Sequence, residues 1–240
     1  MTDILDDFLY PRRPTAERPL LGQTVLVVED SRFAGETIRL MCLRGGARIR
    51  RADSLRAAAR HLSTYRPSVI LVDLGLPDGS GLDLIRQLDD AVPRVPVLLA
   101  LSGDPALEEA ALNAGANGFI SKPFGSVAGF QGKILAHLPA EAQPRGPRPL
   151  SDEVVHADAG ALGDDYALIL DLLDSPQGPE DLLYAINFGA NLARNLEDGA
   201  LDAAVTALRE DVTDGRGHRG SLAHLAGLVQ SRLARGAIAV

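Results

Sequence analysis

The sequence predicts an α/β protein: a doubly wound, five-stranded parallel sheet over residues 23–138, followed by a small all-α helical domain over residues 151–240. Three observations carry this expectation. Short apolar runs such as "VILV" at 69–72, too short for a comfortable helix, alternate with stretches whose apolar residues recur at helical spacing. Five strand–helix alternations imply parallel neighbours, because parallel strands need crossover connections, with helices on both faces. Beyond residue 150 the strand pattern stops and only helical spacing continues.

The elements follow in order. "TVLVVED" (24–30) reads as the first strand, and "SRFAGETIRLMCLRGG" as a helix closed by Gly45 and Gly46. "ARIRRA" is a short second strand, and "SLRAAARHLSTYRP" a helix ended by Pro67. The third strand occupies 69–73, with a helix at about 81–90. "VPVLLAL" (95–101) is the fourth strand, before a helix from about 105 to 114 closed by Gly115. "NGFIS" is the fifth, and a helical stretch containing Gly125, Gly129 and Gly132 runs to His137. Each of those glycines costs up to ~1 kcal/mol against alanine in a helix, which predicts a short or deformable element.

Two flanking segments differ in kind. Residues 1–22, rich in Pro, Arg and Asp without a period, read as an arm. "LPAEAQPRGPRPL" carries Pro139, Pro144, Pro147 and Pro149 and reads as a linker over 139–150. Past it, "GDDYALILDLLDSP", "GPEDLLYAINFGANLARNL", "DGALDAAVTALRED" and "GSLAHLAGLVQSRLARG" predict four helices.

Composition excludes several classes. With 46% hydrophobic residues the chain has enough apolar material for two domains, and its single cysteine, Cys42, excludes a disulfide scaffold and reads as a small buried residue. The acidic N-terminus lacks the basic and apolar regions of a secretory signal, and no run reaches the ~18 apolar residues of a membrane span. A reduced, cytoplasmic protein is expected. The net charge of −8 is uneven: residues 151–240 hold 6 Lys and Arg against 15 Asp and Glu, a poor electrostatic match to phosphate backbones.

In a doubly wound sheet, ligands bind at the carboxyl ends of the strands. The sequence places Glu29 and Asp30 after the first strand, Asp73 after the third, Ser102 after the fourth and Lys122 with Pro123 after the fifth. An aspartate ending an apolar strand often only caps a turn. Three convergent carboxylates, however, repel one another unless a cation joins them, and an all-oxygen site suits Mg2+. A divalent ion with Lys122 would gather phosphoryl oxygens and leave Asp73 as an in-line nucleophile.

With "VLVVEDS", "LVDLGLPDGSG" (Pro77 and Gly81 included), "ALSG" and "GFISKPF" in this order, residues 23–138 resemble the receiver domain of two-component response regulators, a flavodoxin-like fold. The resemblance implies that Asp73 is the phosphoacceptor. Asp30, Asp73 and the Gly75 backbone carbonyl would hold Mg2+, with Glu29 reaching it through water. Ser102 would be the phosphoryl-sensing hydroxyl, Lys122 the charge partner and Phe119 the aromatic switch. It further implies a sensor histidine kinase or a histidine phosphotransfer protein as donor, and a switch rather than an enzyme beyond its own autophosphorylation and autodephosphorylation. Gly75 departs from the family in lacking a side chain, and Asp104 lies near the expected pocket mouth.

Rival chemistries find less support. A dehalogenase-type phosphatase places a second Asp two residues after the nucleophile, where this chain has Gly75, and no Gly-rich phosphate loop follows a strand. His218 and His224 lack the Lys-Gly pair expected after a phosphotransfer histidine. The predicted C-terminal helices are acidic and poor in Lys and Arg, so a protein-interaction or dimerisation module, as a homodimer or with a downstream protein, is expected before a DNA-binding transcriptional regulator.

Overall fold

The computed structural model describes residues 13–148, 152–155, 157–174 and 178–238. The first twelve residues of the expected arm, residues 149 and 150 at the end of the expected linker and residue 151 at the start of the expected helical domain lie outside them. The sheet comprises β1 (Thr24–Val28), β2 (Arg48–Ala52), β3 (Val69–Asp73), β6 (Val97–Ser102) and β7 (Gly118–Ser121), all parallel in the order β2-β1-β3-β6-β7. This is the doubly wound, flavodoxin-like order, with β1 and β3 at the switch point. The central strands β3 and β6 are buried at every residue, whereas edge strand β2 alternates exposed and part-buried positions over most of its length.

Five helices cover the sheet: α1 (Arg32–Arg44), α2 (Leu55–Leu62), α3 (Gly81–Asp89), α4 (Glu108–Asn113) and α5 (Val127–Leu135). Serine starts four of them: Ser31, Ser54, Ser80 and Ser126 each accept a hydrogen bond from a backbone N–H of the first turn. Strand pleating sorts the core into two layers. Val25, Val27, Leu71, Leu99 and Ile120 pack with Ile38, Met41, Phe130 and Ile134 of α1 and α5, while Leu26, Ile70, Leu98 and Ala100 pack with Leu84, Ile85, Ala57 and Ala111 of α2 to α4. Cys42 is fully buried, and burial pushes its thiol up to about 12.

Several local expectations are revised. β1 stops at Val28 and β6 starts at Val97, so Glu29 and Asp30 lie on the loop beyond the strand. α4 is preceded by a 3-10 turn, Pro105–Leu107, because Asp104 accepts the Ala106 N–H. Gly125 precedes α5, at φ 70°, a left-handed position that suits glycine. Leu20, in the segment read as an arm, is fully buried against the α1 and α5 layer, its N–H donating to Gly45 O at 2.7 Å.

An unexpected two-stranded hairpin, β4 (Gly75–Leu76) with β5 (Gly79–Ser80), follows β3. In its turn Asp78 accepts the Leu55 and Arg56 N–H groups at 2.8 and 2.9 Å, tying the hairpin to the N-terminus of α2. It delivers the chain to Gly81, whose role is steric. A Cβ there would fall inside contact distance of the Asp73 carbonyl oxygen and within 2.9 Å of the Leu74 Cα. The strand end and the start of α3 can approach this closely only with glycine.

The C-terminal region forms four helices: α6 (Ala159–Asp174), α7 (Pro179–Asn195), α8 (Gly199–Thr213) and α9 (Arg219–Ile238). Their core joins Ile169, Leu173, Ala185, Ile186, Leu192, Leu201, Val205, Leu208, Leu225 and Val229. Phe33 of α1 belongs to this second core, buried beside Tyr166. His218 precedes α9 and His224 is exposed on it.

We expect Gly81→Ala to lower the free energy of unfolding by about 2–3 kcal/mol, an overpacking cost next to backbone that has no flexible end to yield. Urea denaturation followed by circular dichroism measures it; a midpoint equal to that of the parent would contradict the close approach.

Candidate functional site

The strand order brings the carboxyl ends of β1, β3, β6 and β7 to one edge, and with them every residue singled out there. Lys122, just past β7, is wholly buried; its Nζ lies 2.7 Å from Glu29 Oε2 and 3.2 Å from Asp73 Oδ1. Burial alone would lower the Lys122 pKa, but the adjacent Asp73 and Glu29 carboxylates outweigh it and hold the ammonium above its ordinary value. Glu29 is raised well above the usual carboxylate range, first by burial and then by Asp73 and Asp30, against the pull of Lys122. Its Oε1 also takes the Ser31 N–H at 3.3 Å.

Glu29, Asp30 and Asp73 each offer an oxygen within 4.8 Å of the others. Asp73 is 1% exposed, and its Oδ2 is buried with no hydrogen-bond donor. Leaving a buried carboxylate oxygen unpartnered is costly, and one ammonium cannot neutralise three carboxylates. The cluster therefore fits a divalent cation, and its oxygen-only donors suit Mg2+.

Asp30 Oδ1 takes the Ser31 N–H at 3.0 Å, and its Oδ2 takes the hydroxyl of Tyr184, on α7, at 2.6 Å. Burial and the Asp73 carboxylate raise Asp30 to about 7, although the Tyr184 hydrogen bond lowers it. The Tyr184 hydroxyl is in turn raised, by burial and by Asp30.

The remaining predicted residues sit around this centre. Ser102 is buried at the end of β6, its Oγ accepting the Asp104 N–H at 3.0 Å, which makes it a turn cap in this state. Phe119 lies opposite Ala100 on β7, half-buried against the α2 to α4 layer. Gly75 opens the hairpin directly after Asp73 and Leu74; a Cβ there would be 3.9 Å from Asp73 Oδ2 and 3.4 Å from Asn191 Nδ2.

Sequence reasoning missed what the helical region contributes. Besides Tyr184, Asp165 of α6 is 1% exposed and caps α1, the helix that begins next to Asp30. It accepts Ser31 Oγ at 2.6 Å, Arg32 N at 2.7 Å and Phe33 N at 3.1 Å. Ser31 Oγ itself accepts Ala34 N at 2.9 Å, so two side chains 134 positions apart share one helix start. Arg32 and Asp164 pair at 3.0 Å on the exposed side of the same contact. Nothing in "GDDYALIL" marks Asp165 as a cap, because the helix it caps lies elsewhere in the chain.

Comparison with known proteins bears on this geometry. Residues 25–130 match the family of response regulator receiver domains. The chain is 34% identical over 128 residues to the KDP operon transcriptional regulatory protein KdpE of Escherichia coli, covering 52% of this chain and 56% of that one. It is 33% identical over 101 residues to the virulence transcriptional regulatory protein PhoP of Salmonella typhimurium, covering 42% and 45%. It thus spans about half the length of the curated relatives it matches. Among solved structures, the receiver domain of the sensor histidine kinase PA1611 from Pseudomonas aeruginosa, with a magnesium ion in its active-site cleft, is 28% identical, covering 48% of this chain and 96% of that one with a TM-score of 0.43. The receiver match ends before the four C-terminal helices begin.

A raised Asp30 pKa has a defined sign. The folded, metal-free protein holds this proton more tightly than the unfolded chain, so the contribution is present below the ordinary value of about 4 and is lost as pH rises through about 7. Asp30→Asn should therefore flatten the fall in unfolding free energy between those limits, measured by urea denaturation in chelator. Parallel profiles for the two proteins would contradict the raised value.

Proposed function

We propose that this protein is a response regulator of a two-component phosphorelay, phosphorylated on Asp73 by a sensor histidine kinase or a histidine phosphotransfer protein. The observation that carries the reading is the buried Lys122 ammonium between Glu29 and Asp73, with Asp73 Oδ2 left unpartnered, inside a receiver match. Asp30, Asp73 and the Gly75 carbonyl would hold Mg2+, with Glu29 reaching it through water. When bound, the ion withdraws charge from the phosphoryl oxygens and offsets the carboxylates' mutual repulsion.

Asp73 supplies the nucleophile: a carboxylate oxygen forms the new P–O bond as the donor's P–N bond breaks, giving an acyl phosphate and a neutral imidazole once the departing nitrogen is protonated. Lys122 pairs with the added phosphoryl charge, having been held cationic beforehand by Asp73 and Glu29. Ser102 Oγ, which accepts the Asp104 N–H, would turn toward the phosphoryl group, and the half-buried Phe119 would move with it. The protein acts as a phosphoacceptor switch, with catalysis confined to its own phosphorylation and dephosphorylation.

Output runs through α6 to α9, by association with a second copy or a downstream protein. The net charge of −9 over residues 151–240 supports a protein target over DNA. Among the described residues no helix is long and apolar enough to cross a membrane, in keeping with a cytoplasmic site of action. A DNA-binding output is the second reading, since KdpE and PhoP carry the name of transcriptional regulators. Retention on duplex DNA that weakens steeply with salt would favour it.

Two measurements test the site. Intact mass after incubation with acetyl phosphate and Mg2+ should show one added phosphoryl group, abolished in Asp73→Asn; undiminished labelling of that variant would refute the assignment. Asp30→Asn should weaken Mg2+ binding by more than tenfold in calorimetric titration, whereas equal affinities would remove Asp30 from the metal site.

A further inference from the structure

The rim of the phosphoacceptor pocket is already in contact with a partner, and that partner is α7. Tyr184, Asn191 and Arg194 stand seven and three residues apart, so they share one helix face. Between them they meet the loops after three strands of the sheet edge. Tyr184 holds Asp30 beyond β1, while Asn191 lies over Gly75 beyond β3 and, with Arg194, over Gly103 beyond β6. Ten residues of helix rise about 15 Å, enough to span the ~10 Å from β1 across β3 to β6. α7 therefore runs across the loops beyond these strand ends, with Asn191 reaching Gly75, two residues after Asp73.

The receiver loops are shaped for this contact. A Cβ at Gly103 would stand 3.0 Å from Arg194 Cδ and 3.3 Å from Asn191 Oδ1. The missing side chain at Gly75, a departure from the family pattern, leaves Asn191 Nδ2 at ordinary contact distance from where a Cβ would be. Two glycines on the pocket rim thus admit a helix that larger side chains would hold off. Asp165 on α6 and Phe33 in the bundle core seat the same surface from the side.

Such a cover is incompatible with what the proposed function requires. A histidine phosphodonor must bring its imidazole in line with Asp73, which is 1% exposed. Mg2+ keeps several water ligands beyond its protein oxygens, and these also need space on the open side of the carboxylates. Tyr184 occupies an oxygen of one of these carboxylates, Asp30 Oδ2, at 2.6 Å.

We propose that α7 is a built-in occupant of the phosphoacceptor pocket, held by Tyr184 on Asp30 and by Asn191 and Arg194 over Gly75 and Gly103, and that it excludes metal and phosphodonor until it is released. Phosphorylation is then read out as the displacement of α7 and of the bundle surface it carries. The proposal rests on the phosphoacceptor reading of Asp73, but it makes a separate claim about metal access.

The test uses the full chain in three forms: the parent, Tyr184→Phe, and Asn191→Ala combined with Arg194→Ala. The substituted residues are all on α7, so the receiver loops stay intact. If the pocket is open less than a tenth of the time, releasing α7 should raise the apparent Mg2+ affinity at least tenfold in both variants, measured by titration with Mg2+ alone. Labelling by acetyl phosphate at limiting Mg2+ should accelerate comparably. In the parent, Mg2+ with beryllium fluoride should speed amide exchange over residues 179–195 by at least tenfold. Mg2+ affinity unchanged or weakened in both variants, with exchange over 179–195 unaffected by beryllium fluoride, would overturn the proposal and make α7 a permanent wall of the site. Tighter Mg2+ binding in the variants without labelling of Asp73 in any form would support the occupant while refuting the phosphoacceptor.

Discussion

The structure is organised around one ammonium group. Lys122 is wholly buried with Glu29 at 2.7 Å and Asp73 at 3.2 Å, and Asp30 completes the cluster. Removing ions from water costs several kcal/mol each, so such a cluster is tolerable only where the charges are held in close register. The sheet provides that register. Because β1, β3, β6 and β7 run parallel, their carboxyl ends share one edge, and residues 93 positions apart in the chain meet at ion-pair distance. The wholly buried β3 and β6 fix the heights of Asp73 and Ser102, and Gly81 lets α3 start against the Asp73 carbonyl. Even so, the charges do not balance: a buried oxygen without a donor remains on Asp73. That imbalance makes the fold receptive to a cation.

The same imbalance explains why the four-helix bundle sits where it does. Asp30 and the start of α1 form a polar edge that solvent or protein must satisfy. Tyr184 satisfies the carboxylate, and Asp165 satisfies the orphan N–H groups of α1, a helix N-terminus that favours negative charge. Hydrogen bonds to a charged group contribute about 1.5–3 kcal/mol each, and Phe33 adds apolar burial in the bundle core. The contact thus combines hydrogen bonds to charged groups with apolar burial, and one of its anchors, Asp30, also belongs to the acidic cluster proposed to hold the metal.

Much of this was legible before any coordinates. The strand–helix alternation and the four C-terminal helical patterns correspond to elements of the structure, because each depends on apolar spacing within a dozen residues. The hairpin at Gly75–Ser80 was not legible, since two-residue strands leave no periodic trace. Nor was the burial of Leu20, which depends on a groove between distant helices. The acidic cluster with Lys122 was readable because the doubly wound order dictates which strand ends meet. Tyr184, Asn191 and Asp165 were not, as residues on amphipathic helices with no local mark of what they face; the bare rim position at Gly75 was the one faint sign that something else approaches.

By itself, then, the sequence determined the α/β sheet, its parallel order and the convergence of Glu29, Asp30, Asp73, Ser102 and Lys122, since local periodicity and the handedness of crossovers leave little freedom in what meets at a strand edge. Only the tertiary structure decided that α7 lies over that edge, that Asp165 completes the start of α1 and that Asp30 is held by a tyrosine 154 residues away. The physical reason is range. A helix face records in its spacing that it will be buried, but the identity of the surface that buries it is set by shape and charge matched across the whole chain.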